Sequence, residues 1–219
     1  PGCYDASLAG IRRCRERGIK VGLRFTVTER NVESLPRMLD LMEGEEIDKF
    51  YLSHLVYAGR GNRYRGDDAY HRTTRDVMDR IFERCWAHVD AGRNTEFVTG
   101  NNDADGVYFL QWVRKRFPDK TEHLRAKLEA WGGNASGVNV ANIDNLGNVH
   151  PDTFWWHYSL GNVKQRKFSD IWHDTSDPIM AGLKAQPRKI GGRCGKCREF
   201  AICGRSEERR VGKECRSRW

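Results

Sequence analysis

The stretch from Gly18 to Asn31, GIKVGLRFTVTERN, decides how the first half of this 219-residue chain is read. Ile19, Val21, Leu23, Phe25 and Val27 alternate with Lys20, Gly22, Arg24, Thr26 and Thr28, so one apolar and one polar row lie on opposite faces of a strand. Its flanks are helical. Upstream, Leu8, Ile11 and Cys14 recur about one turn apart within Asp5 to Arg17, and Gly18 stands where a helix C-cap would. Downstream, Asn31 is a candidate N-cap for a helix carrying Val32, Leu35, Leu39 and Met42 and closed by Gly44.

The same alternation of elements continues outward. Phe50 to Val56 and Glu96 to Thr99 read as further strands, and between them Thr73 or Thr74 caps a helix bearing Val77, Ile81, Cys85 and Val89. Tyr57 to Asp68 (YAGRGNRYRGDD) is a Gly- and Arg-rich loop, Gly100 to Gly106 a polar one, and helices are expected near Val107 to Phe117 and Lys120 to Trp131. Strands alternating with helices predict an α/β class, a parallel sheet with crossover helices that is open or curved into a partial (β/α) barrel, over residues 1–130. After Trp131 the texture changes. Val138 to Ile143 alternates into the turn Asp144–Gly147 and the strand Asn148–His150, followed by a Trp/His-rich loop, a helix near Phe168 to His173 and a cysteine cluster. This is the expected small α+β domain, residues 131–204.

The net charge of +8 invites a nucleic-acid reading. Arg205 to Trp219, RSEERRVGKECRSRW, has no apolar periodicity and resembles a translated sequencing adapter. Setting aside its six basic and three acidic residues leaves +5, with basic side chains scattered among acids and no recognition motif. No run approaches the roughly 20 apolar residues of a membrane span, and the first residues carry no signal-peptide pattern. A cytoplasmic protein with neither a nucleic-acid nor a membrane partner is expected. The chain starts without methionine inside what reads as ordered sequence, so an upstream segment is expected.

Seven cysteines divide unevenly. Cys3, Cys14 and Cys85 are isolated, Cys215 sits in the adapter-like tail, and Cys194, Cys197 and Cys203 form one cluster among Gly191, Gly192, Gly195 and Gly204. An odd count with one tight cluster favours a metal site in a reducing compartment over disulfides. By spacing alone, a zinc knuckle and an iron–sulfur site are equally served.

The succession Ile143–Pro151 (IDNLGNVHP), Leu160–Val163 (LGNV), Ser169–Trp172 (SDIW) and the three-cysteine run resembles the SPASM or twitch auxiliary-cluster region of radical S-adenosylmethionine (SAM) enzymes. Within that family, Tyr57–Asn62 (YAGRGN), Phe97–Gly106 (FVTGNNDADG) and Trp131–Trp156 are similar to the branch acting in heme d1 biosynthesis. The resemblance covers essentially residues 1–204. It implies an auxiliary 4Fe–4S cluster on Cys194, Cys197 and Cys203, with SAM and a second 4Fe–4S cluster in the intact enzyme. The family's Cys-x3-Cys-x2-Cys motif is absent and is expected upstream of Pro1, so the fragment alone is expected to be inactive. A fourth auxiliary ligand is expected beyond Cys203, where Cys215 has the wrong spacing. Asp152 follows Pro151 where many auxiliary domains carry cysteine, so at most one auxiliary cluster is implied.

The resemblance also assigns candidate contacts. Arg24 and Thr26 are expected to touch SAM, as a polar residue on the corresponding barrel strand does. His54, Arg60, Arg63, Asn101 and Asp103 follow strand ends where ligands of parallel sheets gather. The arginines are favoured as clamps for substrate carboxylates, because a guanidinium binds them in bidentate fashion. Trp155 and His157 are candidates for stacking on, or ligating, a tetrapyrrole. The implied function is modification of propionate side chains on a siroheme-derived tetrapyrrole, with an electron donor as second partner. Two rivals are a radical SAM peptide maturase, which wants an exposed strand edge, and a non-enzymatic zinc-binding module.

Overall fold

The computed structural model describes residues 2–100, 102–188 and 190–204, the side chain of Arg193 excepted. These fall into two compact units divided between Asp105 and Gly106. The first opens with α1 (Cys3–Arg15) and builds a parallel sheet from β1 (Gly22–Val27), β2 (Lys49–His54) and β3 (Glu96–Gly100), in the order β1-β2-β3. The crossovers are α2 (Leu35–Gly44) and α3 (His71–Asp90). An order that advances one strand per crossover puts right-handed crossover helices on the same face, as in a barrel wall.

The side-chain rows bear this out. Phe25, Val27, Phe50 and Leu52 are buried, together with Leu35, Leu39 and Met42 of α2 and Val77, Met78 and Ile81 of α3. Each such side chain contributes about 1.5–3 kcal/mol by leaving water. The alternate row carries Arg24 and Thr26, both exposed.

Local departures from the sequence reading have identifiable causes. The first strand is shorter than expected because the Val21 N–H donates to the Asp48 side chain at 2.9 Å and not to a neighbouring strand. Asn31 does not cap the following helix. Its side chain accepts from the Thr28 N–H and donates to the Thr26 carbonyl, closing the turn back onto the strand end, and a 3₁₀ turn (Val32–Ser34) leads into α2. α3 starts at His71, ahead of both threonines expected to cap it, and Val89 on its last turn is exposed.

The second unit holds most of α4 (Ala104–Arg116), a 3₁₀ turn (Pro118–Lys120) and α5 (Thr121–Trp131). A small antiparallel sheet follows, of β4 (Asn142–Ile143), β5 (Asn148–His150) and β6 (Gly161–Asn162), and then α6 (Phe168–His173), α7 (Pro178–Lys184), α8 (Gly192–Gly195) and α9 (Phe200–Cys203). The hairpin turn falls at Asp144–Gly147 as read. Val138 to Val140 do not extend its first strand, because their N–H groups all turn back on the Ala135 carbonyl.

The unit begins earlier than the change of texture at Trp131. Val107 and Leu110 of α4 are buried with Ile202 of α9, and Leu124, Leu128 and Cys203 pack around them. Short α7 is held by a cap, with Asp177 accepting from the N–H groups of Ile179 and Met180 and Pro178 in the first turn.

Candidate functional site

At the carboxyl ends of the three parallel strands the first unit gathers polar groups. On the exposed row, Arg24 donates Nε–H to Ser53 Oγ at 2.8 Å, and its guanidinium lies 4.8 Å above the Tyr51 ring. Strand register makes the second contact inevitable, since Arg24 and Tyr51 are direct partners across β1 and β2, as Thr26 and Ser53 are. Tyr51 takes up its position over Gly100. A Cβ added there would lie 1.9 Å from its phenolic oxygen.

On the opposite row His54 is 2% exposed, and its Nε2 lies 2.9 Å from Asp105 Oδ2, itself on a residue 3% exposed. The Asn102 amide donates to the other oxygen of Asp105 at 2.7 Å. His54 therefore belongs to an internal network. Sequence reading placed Asp105 in a polar loop without seeing that it engages a strand end 51 positions earlier.

Arg60 and Arg63 are exposed on a 3₁₀ segment, Gly59–Asp67. Its end is tied to the turn that follows β1, because the Asp67 carbonyl accepts from the Glu29 N–H at 2.8 Å and its side chain pairs with Arg30 at 3.2 Å. At the loop's base Tyr57 donates to Asp68 at 2.6 Å, and burial, followed by the carboxylate, pushes the phenol's pKa well above its ordinary value. Asp103 is half-buried, and Asn101 lies outside the described residues.

In the second unit the aromatic run separates by burial. Trp155 is 4% exposed, with His157 stacked on it at 5.8 Å between ring centres, while Trp156 is 59% exposed. The indole singled out for stacking on a ligand is thus core, its Nε1 buried without a hydrogen-bond partner among the described residues, and its neighbour presents the open face. His157 is exposed. His150 is buried between the Tyr158 carbonyl at 2.6 Å and Asp144 at 3.3 Å, which occupies both ring nitrogens.

Cys194, Cys197 and Cys203 stand half-buried, Cys194 and Cys203 on the successive single-turn helices α8 and α9 and Cys197 in the connection between them, with the Cys197 N–H bonded to the Cys194 carbonyl at 3.1 Å. The segment is anchored at its end. The Cys203 carbonyl accepts from the Asn134 N–H, and a Cβ at Gly133, where φ is +70°, would lie 2.2 Å from that carbonyl oxygen. Arg188 donates to the carbonyls of Leu183, Ser136 and Gly204 and to the Asn134 side chain. Ile202 fixes the inner side of α9, and Arg125 braces Glu199 at 2.9 Å. Among the described residues, no three His, Cys, Asp or Glu side chains are gathered closely enough to hold a metal ion. The three thiols suit a soft metal or an iron–sulfur cluster by chemistry, and they share one anchored segment without meeting at one point. Asp152 is taken up locally by Ser136, Thr153 and the Phe154 N–H. Among the described residues no helix is long and apolar enough to cross a membrane.

No family model matches the chain. It is 56% identical over 205 residues to the pre-heme d1 synthase of Dinoroseobacter shibae, which covers 93% of this chain and 50% of that protein. It is 40% identical to the Fe-coproporphyrin III synthase of Methanosarcina barkeri, over 92% of this chain and 51% of that one. In fold it is similar to SuiB of Streptococcus suis, solved with S-adenosylmethionine (TM-score 0.60, 15% identity) and with its precursor peptide SuiA (TM-score 0.61, 18% identity). Each match spans 91% of this chain and 43% of SuiB. The chain thus carries the α/β fold that its radical SAM resemblance implies, spans about half the length of the curated relatives it matches, and is similar to pre-heme d1 synthase over nearly all of its residues.

Proposed function

We propose that these residues form the substrate side and the auxiliary-cluster region of a cytoplasmic radical SAM enzyme that modifies propionate side chains of a siroheme-derived tetrapyrrole. The observation that carries this reading is the 56% identity over 205 residues to pre-heme d1 synthase. Likeness to SuiB at 15–18% identity extends to the fold alone, so it does not favour a peptide substrate over a tetrapyrrole.

In this reading residues 1–130 contribute part of a barrel and residues 131–204 the auxiliary domain. Cys194, Cys197 and Cys203 would hold a 4Fe–4S cluster, and the cluster that cleaves SAM is held outside these 219 residues. Bound SAM and its cluster supply the one-electron chemistry. The described residues bind and orient. Arg24 and Thr26 face the cofactor side, Arg60 and Arg63 meet substrate carboxylates from the loop tied to the turn after β1, and Trp156 and His157 offer an aromatic face. An external donor supplies electrons.

A chimera tests this. Residues 2–204 replace the corresponding half of the D. shibae protein, and SAM cleavage and tetrapyrrole product are measured anaerobically. Formation of the parent's product is expected. A chimera that cleaves SAM yet leaves the tetrapyrrole unchanged would overturn the substrate assignment.

A further inference from the structure

The Gly- and Arg-rich segment Gly59–Asp67 is wound as a 3₁₀ helix, and its departure from helical backbone angles comes at Tyr64, after Arg63. At three residues per turn, side chains three positions apart eclipse one another, so Arg60 and Arg63 leave the segment from one edge with their roots about 6 Å apart. Gly61 faces another way. A Cβ there would stand 2.1 Å from the Val56 carbonyl oxygen, so the turn is seated directly on the main chain that leaves β2. Both arginines are exposed, and among the described residues neither has an ion-pair or hydrogen-bond partner. The two acids at the end of the same stretch are engaged elsewhere, Asp67 with Arg30 and Asp68 with Tyr57.

We infer that Arg60 and Arg63 together read two carboxylates on neighbouring carbons of one pyrrole ring, an acetate beside a propionate. This deepens the function proposed above and rests on its tetrapyrrole substrate. Two guanidinium groups held on one edge repel each other, and a single carboxylate relieves only one of them. A pair of acids gives each fork its own partner. Side chains of unequal length on adjacent ring carbons diverge, which lets their carboxylates meet two arginines set side by side. A ring with a methyl in place of the acetate leaves one arginine unmatched. The edge therefore selects the propionate that has an acid neighbour, and with it the ring presented for reaction.

The test compares uroporphyrin III with coproporphyrin III, which share a macrocycle and its propionates and differ in carrying acetates or methyls beside them. Binding to the full 219-residue chain is measured by calorimetry. Wild type should bind uroporphyrin III about tenfold or more tighter, the effect of one charge-assisted contact. Arg60→Gln and Arg63→Gln should each bring that ratio near one, and the double variant should add little. Arg37→Gln removes the same charge from an exposed site on α2 and should leave the ratio intact. Gly61→Ala keeps both arginines and the full charge but lifts the turn off Val56, and should lower the ratio. Circular dichroism checks that each variant folds. The monopyrrole porphobilinogen, which bears the same two acids without the macrocycle, should show by NMR a binding that depends on both arginines.

Equal affinity of the wild type for the two porphyrins overturns the paired reading and leaves the tetrapyrrole substrate standing. So does a ratio that survives both glutamine variants, that Arg37→Gln reduces as much, or that Gly61→Ala leaves untouched in a folded chain. If porphobilinogen binds through Arg60 and Arg63 while neither porphyrin binds, the pair stands and the tetrapyrrole reading fails. Absence of binding by all the probes overturns both.

Discussion

Asp144 shows how much one side chain organises locally. It accepts from the Asn148 amide, from the backbone N–H groups of Asn148 and Leu146, and lies beside His150. The Asn148 side chain, then the backbone and His150, hold its pKa down at about 2 against an ordinary 3.8, with desolvation opposing them. A depressed folded-state pKa means stability that is present above the unfolded value and lost as pH falls through the folded one. Asp144→Asn should therefore melt below wild type near neutral pH, and the gap should close as pH falls from 3.8 toward about 2. A gap independent of pH would show that the carboxylate's charge contributes nothing there. The other acids held low by partners, Glu43 among them, titrate in both proteins and cancel in the difference.

Among elements, the cysteine segment depends on a position far upstream in sequence. Gly133→Ala places a Cβ against the Cys203 carbonyl in a backbone conformation that only glycine adopts easily. A destabilisation of about 1–3 kcal/mol is expected, together with reduced iron uptake on anaerobic reconstitution. Gly182→Ala in α7 is the control, since nothing lies within 4 Å of the added carbon. Helix propensity there favours alanine by about 0.5–1 kcal/mol. Equal iron uptake by the two variants would detach the cysteine segment from this anchor.

The same elements show what was legible beforehand. The period-two rows of β1 and the helical rows of α2 and α3 appear directly in sequence, because burial on one face selects apolar residues at fixed intervals. α7 was missed although Asp177-Pro178 is a recognisable cap and first-turn pair, since seven residues are too few to show a period. The three cysteines were visible from spacing. Arg188 and Gly133 were not, because their partners are mostly main-chain carbonyls, which leave no side-chain signature. The sequence reading favours Trp155 for stacking where burial leaves Trp156 open, as adjacent indoles look alike until one is buried.

For the whole molecule, charge and length raise the remaining question. The tail Arg205–Trp219, read as adapter-like, lies outside the described residues and carries three of the eight net positive charges. A chain ending at Ser206 keeps the Arg188–Gly204 contact. If the tail is foreign to the fold, helix content should be unchanged and the melting temperature should move by less than about 2 °C; a fall above about 5 °C would correspond to roughly 1 kcal/mol or more and reveal a structural role.

Arg188 itself has a topological consequence. By gripping Asn134 and Ser136 on one side and Gly204 on the other, it clasps the two ends of a polypeptide ring that contains the small sheet, α6, α7, α8 and α9. Loop-closure entropy rises only slowly with ring size, so one well-made clasp can confine a long segment at little more cost than a short one. The unit then behaves as a noncovalently closed loop, in which the cysteines lie just inside the buckle and the pull of a chain extending past Gly204 falls on the Arg188 guanidinium together with the main-chain bond between Asn134 and Cys203.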